Sequence, residues 1–421
     1  MLFVCAASLF AQGKPLPPAK PESVGFDAER LKRLNVEMRK LVDAHEFAGI
    51  VTMMARHGKV VNSDVYGLQD LAAKTPMQRD TIFRIYSMTK PITGVAMMIL
   101  YEAGKWHPDD PLSKYIPEFA SLKVYAGTNA DGSFALKAPS RAPTVGMLMS
   151  HIAGFSYGIF GNSPVDRLYQ SDNPLGAPSL KEFIAKLSKL PLLYEPGDQW
   201  VYSVSVDIQG YLVELLSGQT LPDFMRTRIF EPLGMTDTGF TVPQNKLSRL
   251  ATIYDMDAKT HTLQPQRRDP NVSIAPGLPS GGGGLYSTAN DYLRFAQMLA
   301  NDGELDGVRI LAPATVALMR DNHLPASIQD AGRFGIGLQH IRPGFGFGYD
   351  VAVFDDPHKA GSTTGKGTYL WDGAAGTWFW IDPTNDIVFV GMIQRMATAG
   401  IPNAEQLSRV LVDQALIESA R

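Results

Sequence analysis

The chain has 421 residues, enough for one large domain or two interlocked ones. It is 45% hydrophobic and 19% charged, with a formal net charge of −3, and so offers no basic surface for nucleic acid or an anionic membrane. Its single cysteine, Cys5, excludes an internal disulfide and a cysteine metal site. The eight histidines form no H-x-H or HExxH pair, so a structural metal is not expected.

The opening stretch, MLFVCAASLFAQG, is apolar but too short to span a bilayer, so no stable membrane insertion is expected. It reads either as a clipped or atypical export signal ending near Ala11 or as an ordinary start. The first reading implies a periplasmic or secreted protein, the second a cytoplasmic one. KPLPPAKPE then reads as an extended linker, so residues 1–22 are taken as signal and linker.

From Asp27 onward, Leu31, Leu34, Met38, Leu41 and Val42 recur at helical spacing. GIVTMMARHGKVVNSDVYG reads as two strands around His57-Gly58, and a helix follows from about Ser87 to Gly104. Residues 105–280 hold short helical patterns separated by Pro and Gly loops. SLKEFIAKLSKL opens with a capping box, Ser179 and Glu182. VDIQGYLVELLSG carries Ile208, Tyr211, Leu212, Leu215 and Leu216 on one face and stops at Gly218. After SGGGGLYSTANDYLRFAQML, strand patterns return in FGIGLQHI, TYLW, TWFWIDP and DIVFVGMIQ, and a last helix spans about Ala404 to Ser419. The order predicts an α+β fold: residues 23–104 and 281–421 form an antiparallel sheet flanked by helices, interrupted by a mainly helical domain at 105–280 with the active site at the interface.

Two serines compete as nucleophile. GFSYG at 154–158 is a G-x-S-x-G pentapeptide, but a nucleophile elbow needs a strand before the serine and a helix after it. Here Thr144 is a plausible N-cap, Val145, Leu148, Met149 and Ile152 follow at helical spacing, and Gly154 sits where a helix would end. Ser156 is therefore read as part of a turn after a helix.

The rival is Ser87 in SMTK. It is the only serine of the chain with a lysine three residues on. Pro91 cannot donate a backbone N–H and is tolerated only near a helix start, while Ile92, Val95 and Ile99 show that a helix continues past it. Ser87 is thus placed at the helix N-terminus, with Lys90 on the same face. The helix field favours a developing oxyanion, and with partial burial it lowers the pKa of Lys90, so that a neutral amine could take the serine proton. Against this stands an ordinary exposed lysine in a first helical turn.

Tyr202, between a Pro-Gly turn and a helix that Ser203 or Ser205 could cap, can project its hydroxyl into a cleft. If held near Lys90, its pKa falls and it relays protons; the plain alternative is a ring packed on the core. In YLWDGAAGTWFWIDP, Gly373 would let backbone approach a ligand closely and the Ala374 N–H could serve as a donor; the plain alternative is a bulged edge strand.

Ser87-x-x-Lys90, Tyr202-Ser203-Val204 and Trp371-Asp372-Gly373 together resemble the three motifs of the serine β-lactamase and penicillin-binding-protein superfamily. The nearest resemblance is to the class C β-lactamase-like carboxylesterases, often called family VIII. It covers roughly residues 20 to 415, through FRIYSMTKPITG, LMSHIAGFSYG, YEPGDQWVYSVSVDIQGYLVE, SGGGGLYSTANDYLRFAQML and GAAGTWFWIDP. The resemblance implies a β-lactamase/transpeptidase-like fold and Ser87 as acyl-accepting nucleophile. Lys90 and Tyr202 would share proton transfer, the N–H groups of Ser87 and Ala374 would form the oxyanion hole, and no cofactor would be needed. With loop position, it puts Trp371, Phe155 and Tyr157 in the acyl pocket, beside Gly373 and Asp372.

Two departures bear on substrate. Trp371 stands where β-lactamases and cell-wall peptidases usually carry the lysine of Lys-Thr-Gly, and Val204 replaces the asparagine of Tyr-x-Asn. An indole cannot pair with a carboxylate but suits a neutral, apolar group. Asp372, where the esterases more often have glycine, is read either as repelling anionic substrates or as simply pointing to solvent, the latter being preferred because exposed carboxylates are the rule. The expected activity is a serine carboxylesterase acting on short acyl esters, with weak β-lactamase activity, mostly on cephalosporins, as a side reaction. The alternatives are a D,D-carboxypeptidase or D-aminopeptidase, a class C β-lactamase, and a catalytically idle binding protein on the same fold.

Overall fold

A computed structural model describes residues 13–267, 269, 272–274, 277–329, 343–396 and 402–418. The apolar start and FGIGLQHI (334–341) lie outside the described residues.

The centre is an eight-stranded sheet. In chain order its strands are β1 (Gly49–Arg56), β2 (Lys59–Asp70), β3 (Thr75–Pro76), β4 (Phe345–Phe347), β5 (Ala352–Phe354), β6 (Tyr369–Asp372), β7 (Trp378–Asp382) and β8 (Ile387–Met392). Their spatial order is β4-β5-β6-β7-β8-β1-β2-β3, and every pair is antiparallel. β8 closes onto β1, so the sheet joins the two ends of the chain. The β1–β2 turn falls on His57 and Gly58, both in the left-handed region (φ 52 and 67), as a two-residue hairpin loop requires.

Side chains alternate across a strand, so both faces of β7 must be covered. Trp378 and Trp380 point to one face and donate their indole N–H groups to Ser408 Oγ at 3.2 and 3.1 Å. Ser408 lies on a C-terminal helix, Ala404–Asp413, which packs with α1 (Ala28–Asp43). Phe379 points the other way, onto Tyr292 of the helix Ala289–Ala300 (ring centroids 5.2 Å apart). The C-terminal helix ends at Asp413, six residues before the expected Ser419.

The next helix, α2 (Thr89–Glu102), is buried from Thr89 to Leu100 and is apolar around most of its circumference, as a helix covered on all sides must be. It packs against α6 (Ser205–Ser217) on one side and the helix Pro313–Arg320 on another. Between α2 and α6 come α3 (Val145–Met149), α4 (Pro164–Asp172) and α5 (Leu180–Leu187).

The α+β expectation holds. Several local readings change. Residues 105–280 also contain two hairpins, 124–128 with 134–137 and 254–257 with 262–265, which the sequence did not signal. The linker is docked: the Ala19 N–H donates to Val60 and the Gly13 N–H to Gly234. At α5 only half of the expected capping box forms, with Ser179 accepting from the Glu182 N–H; the reciprocal box is Ser163 with Asp166, at α4. On α6, Leu215 is exposed, whereas the polar Ser205, Asp207 and Gln209 are buried.

Candidate active site

Ser87 lies in a 3-10 turn, Tyr86–Met88, that runs directly into α2. Pro91 falls in the first turn of that helix, where its missing N–H costs no bond. Tyr86 takes the left-handed conformation (φ 42), uncommon for an aromatic residue, and so turns the chain sharply at the serine. One helical turn on, the Lys90 amine reaches Ser87 Oγ at 3.2 Å, the Gly282 carbonyl at 2.7 Å and the Tyr157 hydroxyl at 3.3 Å.

Tyr202 arrives from the segment before α6, and its hydroxyl donates to Ser87 Oγ at 2.7 Å. Its neighbours are tied to the loop after α3. The Val201 N–H donates to the His151 carbonyl, the Ser203 N–H to His151 Nδ1, and the Val204 N–H to the Ser156 carbonyl. The rings of His151, Tyr157, Phe160, Trp200 and Trp371 pack around the phenol with centroids 5.1 to 6.2 Å away. Neither Ser203 nor Ser205 caps α6; their hydroxyls bond to each other at 2.8 Å.

Electrostatics separate the two proton carriers. Lys90 is fully buried, and desolvation pushes its pKa down to about 8 against the opposing pull of Asp207, Asp350 and Asp372. Tyr202 moves opposite to the sequence expectation. Burial raises it, outweighing the hydrogen bond it donates to Ser87. Lys90 lies over the phenol face, 4.5 Å from the ring centroid. The site therefore pairs an amine near half neutralisation at mildly alkaline pH with a phenol that keeps its proton. His151, buried and near Lys90, is held well below the usual histidine range and is neutral.

The turn between β6 and β7 closes the site on the other side. The Gly373 N–H donates to the Thr377 carbonyl at 2.7 Å, and the Thr377 hydroxyl donates to the Ile85 carbonyl at 3.3 Å. A Cβ on Gly373 would overlap that same Ile85 oxygen. The glycine is thus needed for close approach to the chain two residues before Ser87 rather than to a ligand. β6 lies inside the sheet, not at its edge. Ala374 is exposed at the tip of this turn.

Other expected pocket residues are placed differently. Phe155 is buried against Phe119 (centroids 5.5 Å) and belongs to the core. Trp371 is fully buried with its ring against Tyr202 and Phe347, so it supports the phenol instead of presenting a face to substrate. Asp372 is half-buried, and its charge reaches Lys90 and Tyr202, so it does not simply face solvent. Tyr157 does join the site, through Lys90. Beyond it, Ile159 and Phe160 are 67% and 38% exposed, and Phe160 packs on both Tyr157 and Tyr202. This apolar lip escaped the sequence reading, although IF directly follows the pentapeptide.

Ser156 is buried. Its hydroxyl donates to Asp166 Oδ1 at 2.5 Å and accepts the Gly158 N–H at 2.9 Å. The preceding helix ends at Met149, five residues before Gly154, and the chain turns at His151 (φ 57). Ser156→Ala is expected to lower unfolding stability by about 1–3 kcal/mol in urea, because Asp166 loses a donor, and to leave turnover unchanged.

Among the described residues, no group of three or more His, Cys, Asp or Glu could hold a metal ion, and no helix is long and apolar enough to cross a membrane. Comparison with known proteins gives the class: a serine hydrolase of the β-lactamase family. The chain belongs to the Beta-lactamase family, whose model matches residues 35–412. It is 36% identical to Protein Rv1367c of Mycobacterium tuberculosis, over 88% of this chain and 94% of the relative. It is 32% identical to Esterase EstB of Burkholderia gladioli, over 85% and 89% respectively. Among solved structures it superposes on EstCE1, a hydrolase with promiscuous acyltransferase activity, with a TM-score of 0.75 and 28% identity over 93% of this chain and 99% of that one.

Proposed function

We propose that the protein hydrolyses short-chain acyl esters through an acyl-enzyme on Ser87. The observation that carries this reading is the single oxygen, Ser87 Oγ, within reach of both the Lys90 amine (3.2 Å) and the Tyr202 hydroxyl (2.7 Å). Neutral Lys90 takes the serine proton as Oγ bonds to the acyl carbon. The oxyanion is assigned to the N–H groups of Ser87 and Ala374, a pairing supported by the close packing of the Gly373 turn on Ile85. When the C–O bond breaks, the leaving alkoxide takes a proton from Tyr202, which is resupplied from Lys90. Water then attacks the acyl-enzyme, Lys90 again accepts a proton, and Ser87 leaves reprotonated with release of the carboxylic acid.

Several features support a neutral ester over a peptide or β-lactam carboxylate. The charges acting on Lys90 are the carboxylates Asp207, Asp350 and Asp372, and the exposed rim at Ile159 and Phe160 is apolar. Turnover of p-nitrophenyl butyrate is expected, with slow hydrolysis of nitrocefin and none of a D-Ala-D-Ala peptide. Cleavage of the peptide without the ester would move the assignment to a carboxypeptidase. Phe160→Ala is expected to raise KM for the butyrate by roughly fivefold, from about 1 kcal/mol of lost apolar contact, with kcat little changed; equal losses for acetate and butyrate esters would show that Phe160 does not touch the acyl chain.

A further inference from the structure

The SGGGG run at 280–284 forms a strap across the start of α2. The Gly282 carbonyl accepts from Lys90 at 2.7 Å, and the Gly281 carbonyl accepts from Thr93 Oγ1 at 2.7 Å. The Leu285 N–H donates to Thr89 Oγ1 at 3.1 Å. None of the four glycines lies in the left-handed region, so backbone freedom does not explain them. Room does. A Cβ on Gly281 would come to 2.5 Å from the Val206 carbonyl oxygen. One on Gly282 would come to 2.7 Å from Asp207 Oδ2 and 2.9 Å from the Tyr157 hydroxyl.

The far side of the strap is gripped by Asp207 of α6. Its Oδ1 accepts from Ser280 Oγ at 2.5 Å and from the Gly282 N–H at 3.1 Å. The same peptide unit stretch therefore binds a carboxylate through Gly282 N–H and the Lys90 amine through Gly282 C=O. Asp207 is fully buried, and its Oδ2 has no hydrogen-bond partner. A buried anion with an unsatisfied oxygen is costly unless a cation stands close by. Lys90 supplies that attraction, which opposes the upward push of burial on the Asp207 carboxyl.

We infer that Asp207 is a positioning residue for Lys90, acting through the glycine strap, and that the charge it holds beside the amine sets the pH at which the enzyme becomes active. The inference rests on Lys90 acting as the base for Ser87. Other groups also face Lys90. Asp350, from the turn before β5, and Asp372, from the end of β6, act in the same direction as Asp207. The Tyr157 and Tyr202 hydroxyls stay protonated, and His151 is neutral. Asp350 gives one oxygen to Gln209 at 3.0 Å and does not bond to the strap. Asp207 thus combines the charge with the mechanical grip.

The test follows kcat/KM for p-nitrophenyl butyrate, and the rate of Ser87 labelling by a fluorophosphonate, against pH. Wild type, Asp207→Asn and Asp207→Glu are compared, each with its melting temperature. Lys90 must lose its proton to act, so activity rises with pH through its pKa. Removing a negative neighbour lowers that pKa and moves the acid limb to lower pH. For Asp207→Asn the expected displacement is about 0.5–1 unit, with a reduced plateau. Asp207→Glu keeps the charge but disturbs the strap, so its plateau falls while its limb stays within about 0.2 unit of wild type. A limb in Asp207→Asn that coincides with wild type would overturn the inference and leave Asp207 a purely structural residue. Should Asp207→Asn fail to fold, the glutamate variant decides: a retained limb with lowered kcat supports the inference, and a limb displaced by half a unit overturns it. Labelling of wild type at another serine would instead count against Ser87 as nucleophile.

Discussion

Ser87→Ala is expected to reduce kcat/KM for p-nitrophenyl butyrate by about 10⁴-fold or more while leaving the melting temperature nearly unchanged. The side chain is half-buried and, among the described residues, its hydroxyl hydrogen bonds only to the two proton carriers, so removing it opens no core cavity. The effect is large because no neighbouring hydroxyl can substitute. Tyr202 stays protonated, and Ser156 is locked to Asp166. Steady-state kinetics on the purified variant, with thermal unfolding as the control, provide the check. Any residual rate reports what the oxyanion donors and substrate binding contribute alone.

Lys90→Met is expected to cost about 10²–10⁴-fold in kcat, the usual worth of a positioned general base. Lys90→Arg should not rescue it, because a guanidinium remains charged across the working pH range and cannot accept the serine proton. This variant also carries a stability signature. Lys90 opposes the burial-driven rise of the Asp207 and Asp350 carboxyls. Without it both rise further. A carboxyl raised in the folded state penalises folding once the pH exceeds its unfolded value, and carries no penalty when both states are protonated. The melting-temperature deficit of Lys90→Met should therefore be small in acid and widen as pH rises above about 4. A deficit independent of pH would show that Lys90 does not interact with those carboxylates.

The start of the site was legible because its signals are local. Pro91, three helical apolar positions and one lysine three residues after a serine confine Ser87 to the head of α2. The His57-Gly58 hairpin was readable for the same reason: two turn residues between alternating strands. The contacts that complete the site are not local. Asp207 and the strap lie 75 positions apart in sequence, and nothing in YSVSVDIQG says that its polar residues face inward. A trace was present, since α6 carries Asp207 and Gln209 among apolar positions and four consecutive glycines are more than a turn needs. Phe155 and Trp371 were misplaced because composition says that an aromatic ring will be covered, not by what. The direction of the Tyr202 shift was missed for a related reason. It depends on the depth of burial, which five surrounding rings from two separate loops and β6 determine.

The choice between Ser87 and Ser156 is the point on which the mechanism turns, and covalent labelling addresses it directly. Wild-type protein is treated with a fluorophosphonate at pH 8, digested, and the modified peptide identified by mass spectrometry. The expected result is a single adduct on Ser87, slowed in Lys90→Met and unaffected in Ser156→Ala. An adduct on Ser156, or full esterase activity in Ser87→Ala, would contradict the assignment.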